Sequence, residues 1–397
     1  MRIVHVIDYF QPKLGYQEYY LAKKQQELGH NVTVVTSDRY YPFPNYSETM
    51  ENILGRRFVG GGVSVEEGVT VCRLPVLFEV RRHIWMEGLK GVLKRLNPDV
   101  VHMHDIVSST AVRVARYKKK LGYRLVYDCH YAYVVFYLKN FPRSIFLDFF
   151  KSFFITEIIK NGDAFVAVTD ETKMLMNKEL GIEKSRIDVI YLGADSDLFK
   201  FDVEKREKTR RRLGINGGDV VFIYAGKVIP QKKPHLMLEA SAQLVRENPR
   251  VKCLIVGNAD GDYKEKIEEI VRENGISSNV LFHDAVPNKE LVNYYCAADV
   301  GVWPAEISMT MIEATSVGLP IIVTKSLLTL HRISNKNGLA YEEGDIGDLR
   351  KCMRRLSEDE ELRKEMGKRG RELVEKELNW DVIAKQFLEV YQRAKLQ

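Results

Sequence analysis

The sequence predicts an α/β protein made of two doubly wound parallel-sheet domains in series, and three observations carry that prediction. Short β-branched runs alternate with amphipathic helical stretches, the order that builds crossovers and sheets covered on both faces. The alternation restarts after a polar stretch at residues 200–219. A chain of 397 residues with 45% apolar and 29% charged side chains has enough material for two cores, which excludes a disordered, fibrous or repeat-array protein.

Each element follows in order. RIVHVID at 2–8 reads as a buried first strand, 17–28 as a helix and NVTVVTS at 31–37 as a second strand. DVVHMHD (99–105), RLVYDCH (124–130), AFVAVTD (164–170) and RIDVIYLG (186–193) continue the first set. The second set is VVFIYAG (220–226), VKCLIVG (251–257), VLFHDAV (280–286), ADVGVWP (298–304) and PIIVT (320–324), with helices at 235–247 and 263–274 between them. From residue 345 the pattern is helical and charged. The division expected is a first domain at 1–200, a second at 201–378, and a last helix at 379–397 that crosses back to brace the first.

Lys plus Arg number 60 against 54 Asp plus Glu, a net +6, and residues 1–200 hold 28 basic and 23 acidic side chains. That balance suits anionic small ligands or a membrane surface and is too weak for a nucleic-acid binder. The five scattered cysteines form no Cys-x-x-Cys pair, which implies reduced thiols and a cytoplasmic location. No apolar run reaches the roughly 18 residues that span a bilayer. Residues 76–96 and 131–160 mix aromatics with Lys and Arg, the composition of interfacial helices, so peripheral contact with the inner face of the cell membrane is expected there. Core packing of the same aromatics is the competing reading.

Candidate chemistry sits at strand ends, where parallel sheets bind ligands. Gly226, Lys227 and Lys232 follow the strand at 220–225 and put two ammonium groups in one loop, a pair suited to a pyrophosphate. After the strand ending at Trp303, a helix should begin near Ser308, with Glu313 about one turn inside it, and its first amides should face an anion. His102, His104, Asp105 and His130 also lie at strand ends. One of His102 and His104 is expected to pack inward, leaving His104 with Asp105 toward ligand. Gly60, Gly61 and Gly62 lack a following helix and lysine, which makes them a flexible acceptor-side loop rather than a phosphate loop. Asp128, Asp163 and Asp170 form no Asp-x-Asp pair.

The run G-K-V-I-P-Q-K at 226–232, followed by W-P-A-E-I-S-M-T-M-I-E-A-T-S-V-G-L-P at 303–320, resembles the donor site of the family-4 retaining glycosyltransferases. The resemblance covers essentially the whole chain. It implies the GT-B fold, two Rossmann-like domains facing across a cleft, with acceptor bound by the first and nucleotide sugar by the second. It also implies a UDP- or GDP-linked sugar as donor substrate, no metal and no further cofactor. By this resemblance His130, Lys227, Lys232 and Glu313 are the catalytic set: the lysines take the diphosphate, Glu313 the ribose hydroxyls, and His130 lies beside the transferred sugar. Gly15, Gly226, Val286, Glu306, Ser308, Met309 and Thr310 complete the donor site, Val286 at the base. Tyr16, Glu18, His104 and Asp105 form the acceptor side.

Four positions depart from the family's pattern. Tyr16 stands where the second Gly of the first-strand loop is usual, Lys227 where Arg is usual, Ala305 where the first of two glutamates is usual, with Glu306 one residue later, and Ser308 where Gly is usual. The function expected is transfer of a hexose-type sugar to a hydroxyl of a saccharide or lipid-linked acceptor. A nucleotide-sugar 2-epimerase of the same fold and a non-catalytic sugar-nucleotide-binding subunit are the alternatives. A nicotinamide oxidoreductase fits poorly, because neither half carries Gly-x-Gly-x-x-Gly after its first strand.

Overall fold

The computed structural model describes residues 1–80, 83–130, 154–259, 261–305, 307–326 and 329–394. The chain divides into two compact units, one of Met1–Leu192 with Trp380–Gln397 and the other of Gly193–Asn379.

Unit 1 contains strands β1 (Arg2–Val6), β2 (Asn31–Ser37), β3 (Gly62–Glu66), β4 (Val69–Leu74), β5 (Val76–Val80), β6 (His83–Met86), β7 (Val100–His104), β8 (Arg124–Cys129), β9 (Ala164–Ala167) and β10 (Ile187–Val189). Eight of them form a sheet in the order β10-β9-β8-β7-β1-β2-β4-β3, parallel except for the antiparallel edge pair β3/β4. The order reverses between β1 and β7, so the loops leaving those strands part company there and open the crevice where such sheets take ligands. Alternation along the central strands sends Val4, Val6, Val101, Met103, Leu125 and Tyr127 into one core with residues of the helices Leu89–Leu96 and Ser109–Leu121. His5, His102, His104 and Asp128 take the intervening positions, on the face shared by the helix Gln17–Glu27 and the C-terminal helix Trp380–Arg393.

The segment 76–96 differs from the single interfacial helix expected. β5 and β6 pair as a separate antiparallel hairpin, and a helix begins only at Leu89. The cause is legible in VLFEV and HIWM, short runs of β-formers that a helical reading of the aromatics passed over. Most of 131–160, with Arg81 and Arg82, lies outside the described residues. Of the aromatics singled out in these two segments, Phe154 packs against the core of unit 1, and the Trp85 ring lies 4.1 Å under the Arg113 guanidinium and stacks on Phe78.

Unit 2 contains β11 (Val220–Ala225), β12 (Val251–Val256), β13 (Val280–His283), β14 (Val300–Trp303), β15 (Ile321–Thr324) and β16 (Gly338–Tyr341). They form one parallel sheet in the order β13-β12-β11-β14-β15-β16, which is a Rossmann order with its reversal between β11 and β14. Helices His235–Glu247, Gly261–Glu273, Met309–Val317 and Ile346–Glu358 alternate with these strands. Two of the glycines that packing requires lie on or next to β12 and β14. A Cβ on Gly257 would stand 1.9 Å from the Gly226 carbonyl oxygen, and one on Gly301 would stand 2.4 Å from the Trp303 ring, two residues on along the same face of β14.

Candidate functional site

In unit 2 the residues expected at the donor site come from the two loops at the sheet's reversal point. β11 is followed by Gly226 at φ 142°, which only glycine adopts readily, and the chain passes through Lys227 into the short turn Pro230–Lys232. Lys232 Nζ donates to the Ile307 carbonyl at 2.8 Å, tying this loop to the one that follows β14. Lys227 lies at the rim. Crowding by protein and the neighbouring charge of Lys232 hold its ammonium below the usual lysine range.

Ser308 caps the helix Met309–Val317, its hydroxyl accepting from the Thr310 amide at 3.4 Å. Of the three amides expected to face an anion, that of Thr310 is therefore engaged by the protein's own cap. The Thr310 hydroxyl lies 2.6 Å from Ser308 Oγ and donates to the Ala225 carbonyl, and the Trp303 indole N–H reaches both Ala225 O at 3.1 Å and Thr310 Oγ1 at 3.0 Å. The end of β11 and the start of this helix are thus pinned together by four polar groups. Glu306 lies outside the described residues.

Glu313 is fully buried. Its Oε1 accepts from the Asn288 amide at 2.6 Å and its Oε2 from the Tyr295 hydroxyl at 3.1 Å. Burial pushes its pKa up to about 7 against the pull of those two donors. Asn288 follows Val286 and Pro287 in the loop after β13, so the expected base-side loop and Glu313 are joined through it. The sequence reading missed Asn288 and Tyr295; an asparagine directly after Val286-Pro287 was the available signal.

In unit 1 the expected acceptor-side residues also converge. Gly15, at φ 65°, closes the turn Pro12–Leu14, and Tyr16 leads into the helix whose first residues are Gln17 and Glu18. Gln17 Nε2 donates to Asp128 Oδ2 at 2.9 Å, and His104 Nδ1 lies 2.6 Å from the same oxygen. Asp128 Oδ1 accepts from the Asp105 amide at 3.1 Å and lies 3.4 Å from His130 Nε2. Asp105 adopts φ 75°, which turns its amide to Asp128. Burial raises the Glu18 carboxyl, with His104 opposing the rise. Crowding by neighbouring protein disfavours charge on the partly exposed His130, but Asp128 and then Glu18 and Asp105 outweigh it, so the imidazole is held above the usual histidine range. Burial raises the Tyr16 phenol.

His102 and His104 do not divide between two faces. Residues two apart on a strand share a face, and both are buried, with ring centroids 4.2 Å apart. Asp128, Gln17 and His5 are the residues that sequence reasoning left out, and Asp128 is the junction of the cluster. A histidine in the otherwise apolar β1 was the one hint. Among the described residues, the groups His5–His102–His104 and His104–Asp128–His130 each bring potential metal-ligating atoms within 4.8 Å of one another. Most of these atoms already bond within the cluster, His102 Nε2 being a buried nitrogen that makes no hydrogen bond among the described residues. Gly60, Gly61 and Gly62 line a recess with Pro12, Lys13, Tyr40, Glu66 and Arg73, the last two joined by a bidentate ion pair. Among the described residues, no helix is long and apolar enough to cross a membrane.

Two Rossmann-like units, each with its candidate residues at the reversal of its parallel sheet, define the GT-B class, and solved structures share this fold. HepE of Anabaena, crystallised with UDP, superimposes with a TM-score of 0.76 at 16% identity over 99% of this chain and 100% of its own. Sucrose-phosphate synthase of Thermosynechococcus elongatus gives 0.74 at 19% identity, covering 98% of both chains. The family model for glycosyl transferases group 1 matches residues 205–373, and that for glycosyltransferase family 4 matches residues 17–198. The chain belongs to this glycosyltransferase family. A D-inositol 3-phosphate glycosyltransferase of Corynebacterium urealyticum is 30% identical over 245 residues, 59% of this chain and 58% of that protein. The corresponding Nocardioides protein is 27% identical over 258 residues, 60% and 55% of the two chains. The chain thus spans little more than half the length of these curated relatives.

Proposed function

We propose that the protein transfers a hexose-type sugar, with retention of configuration, from a UDP- or GDP-linked donor to a hydroxyl of a saccharide or lipid-linked acceptor. In this reading no metal is needed. The observation that carries it is the convergence of Lys227, Lys232 and the Ser308-capped helix start at the reversal of the unit 2 sheet. Positive charge gathered there offsets the charge that develops on a departing diphosphate, the function a metal serves elsewhere. Glu313, fixed by Asn288 and Tyr295, offers a pre-oriented acceptor to ribose hydroxyls. Unit 1 supplies the acceptor side, with His130 as the group that meets the transferred sugar.

A panel of nucleotide sugars, beginning with UDP-linked hexoses because a structural neighbour holds UDP, tests this by calorimetry and by nucleotide release with and without acceptor extracts. Binding of one donor, release dependent on acceptor, and full rate in chelator are expected. Release without acceptor would favour the epimerase, and binding without release the non-catalytic subunit. A strict metal requirement would remove metal independence from the proposal. In the same assay His130→Ala should lower transfer at least tenfold and leave binding of the free nucleotide diphosphate unchanged.

The membrane part of the proposal now rests on the β5/β6 hairpin. Leu77, Phe78 and Val80 are each more than half exposed on β5, and the sequence continues into Arg81, Arg82 and His83. Apolar side chains beside basic ones suit an anionic lipid surface. Flotation with anionic vesicles at low salt should carry the protein upward, and Leu77→Ser with Val80→Ser should abolish it. Flotation unchanged by both substitutions would move the contact elsewhere.

A further inference from the structure

The recess beside Gly60, Gly61 and Gly62 has a volume of about 430 Å3 and lies in unit 1 between β3 and the turn Pro12–Leu14. That volume falls within the roughly 300–1,000 Å3 of small-molecule sites. One wall is held rigidly. Arg73, 3% exposed, donates through Nε and Nη2 to the two Glu66 oxygens at 2.7 Å each, through Nη1 to the Ser37 carbonyl at 2.9 Å and through Nη2 to the Phe10 carbonyl at 3.2 Å. The centre of the Tyr40 ring lies 5.1 Å from the guanidinium carbon. The strands set this arrangement: Arg73 on β4 is the register partner of Gly62, and Ser64 and Glu66 follow on the same face of β3 at the pleat's spacing of two.

The ligand this recess suits follows from which of its groups are already engaged. Every nitrogen of Arg73 bonds a protein oxygen, so the guanidinium has little left for a phosphate. The remaining charges, exposed Lys13 and exposed Glu67, offset each other. Tyr40 is different. It is more than nine-tenths buried and lines the recess, yet its hydroxyl makes no hydrogen bond among the described residues. Burial holds the phenol above its usual range, so the hydroxyl keeps its proton and can both donate and accept. A hydroxyl of that kind beside a carboxylate, with no net charge around it, matches a neutral sugar ring better than an anion. Apolar groups complete the lining: Val59 and Val63 are 42% and 69% exposed, and Phe58 beside them is 65% exposed. Apolar side chains left in water at the edge of a polar recess suit a ligand that is apolar at one end.

We propose that this recess holds a neutral sugar ring of the acceptor, and that the acceptor carries an aliphatic chain which leaves the recess across Val59, Val63 and Phe58. The inference rests on the reading of the protein as a transferase whose acceptor binds unit 1, and within it names the substrate class: an uncharged glycolipid, not a free or phosphorylated sugar. Two features of the fold agree with it. The turn that lines the recess ends at Gly15 and leads into Tyr16 and Glu18 of the acceptor side. Arg57 and Arg39 both donate to Glu79 of β5, so the exposed apolar groups at 58–63 and those of the β5/β6 hairpin belong to neighbouring elements.

Methyl and hexyl glycosides of glucose, galactose, mannose and N-acetylglucosamine test this by saturation-transfer NMR, titrated below their micellar range into the full chain without donor. One sugar should bind in both forms, the hexyl form at least about fivefold tighter. Tyr40→Phe keeps the ring against Arg73 and removes only the hydroxyl, so it should weaken both forms by about fivefold and leave the melting temperature unchanged. Val59→Ser with Val63→Ser should remove the advantage of the hexyl form and leave the methyl form as it was. The 6-phosphate of the preferred sugar should bind no tighter than the free sugar.

A glycoside bound equally by the wild type and by a well-folded Tyr40→Phe variant would lie elsewhere and overturn the sugar site. Equal affinity for methyl and hexyl forms would overturn the aliphatic chain, and tighter binding of the phosphate would overturn the neutral ring. Failure of every glycoside to bind, in a protein that still binds a nucleotide donor and transfers from it, would strike the recess and leave the transferase reading standing. Glycoside binding that depends on Tyr40, in a protein that binds no donor, would keep the sugar site and strike that reading.

Discussion

Replacing Lys227 and Lys232 together with alanine is expected to weaken binding of a nucleotide diphosphate at least about a hundredfold. Charge-assisted hydrogen bonds to a phosphate contribute on the order of 1.5–3 kcal/mol each, and every 1.4 kcal/mol is about a factor of ten. The two cations reach this loop from one strand end, and the charge of Lys232 already disfavours the ammonium of Lys227. An anion between them relieves that repulsion as it binds, so the pair should lose more than either single variant. The fold should tolerate the change, since neither side chain belongs to the core; among the ties lost is that of Lys232 to the Ile307 carbonyl. Calorimetry with UDP and GDP, alongside a melting curve, makes the test. Affinity within threefold of the wild type in a well-folded double variant would take the lysines out of the donor site.

Trp303→Ala should cost about 3–5 kcal/mol of stability, the range for removing a large buried aromatic. The indole is fully buried at the end of β14, lies over Gly301, and donates to Ala225 and Thr310. Its loss opens a cavity beneath the helix start that carries Ser308 and Thr310, so donor affinity should fall along with stability. Trp303→Phe separates the two effects. It keeps most of the volume and loses the N–H, for which about 1 kcal/mol is the expected share. Denaturant unfolding of both variants is the measurement. Equal losses would mean that the indole N–H, not the ring, holds this corner.

The sheets were legible because short apolar runs rich in β-formers, such as VVFIYAG and VKCLIVG, are too brief for buried helices and alternate with amphipathic stretches, and the helix start near Ser308 was visible directly after the strand ending at Trp303. The hairpin of β5 and β6 was not legible. Its aromatics have both a helical and a strand reading, and only pairing partners distant from the segment's own pattern decide between them. At the site, the residues expected to contact ligand were visible by their chemistry. Those that hold them were not: Asn288 and Tyr295 reach Glu313 from another loop and helix, and Gln25 and Tyr391 reach the histidines from two helices at opposite ends of the chain. Such partners are set by tertiary packing, which composition and spacing do not encode.

Unit 1 takes its last helix from the end of the chain, and this has a consequence for biosynthesis. Unit 2 is a single uninterrupted stretch whose two ends meet, the Ala194 amide donating to the Leu378 carbonyl at 2.8 Å. A ribosome delivers all of it before Trp380, Phe387 and Tyr391 emerge, so the domain begun first is the one finished last. Until then β1 and β7 would present His5 and His102 without the surface that covers them. A nascent chain whose last helix has not yet emerged would therefore leave unit 1 uncovered, the state in which a chaperone would find it.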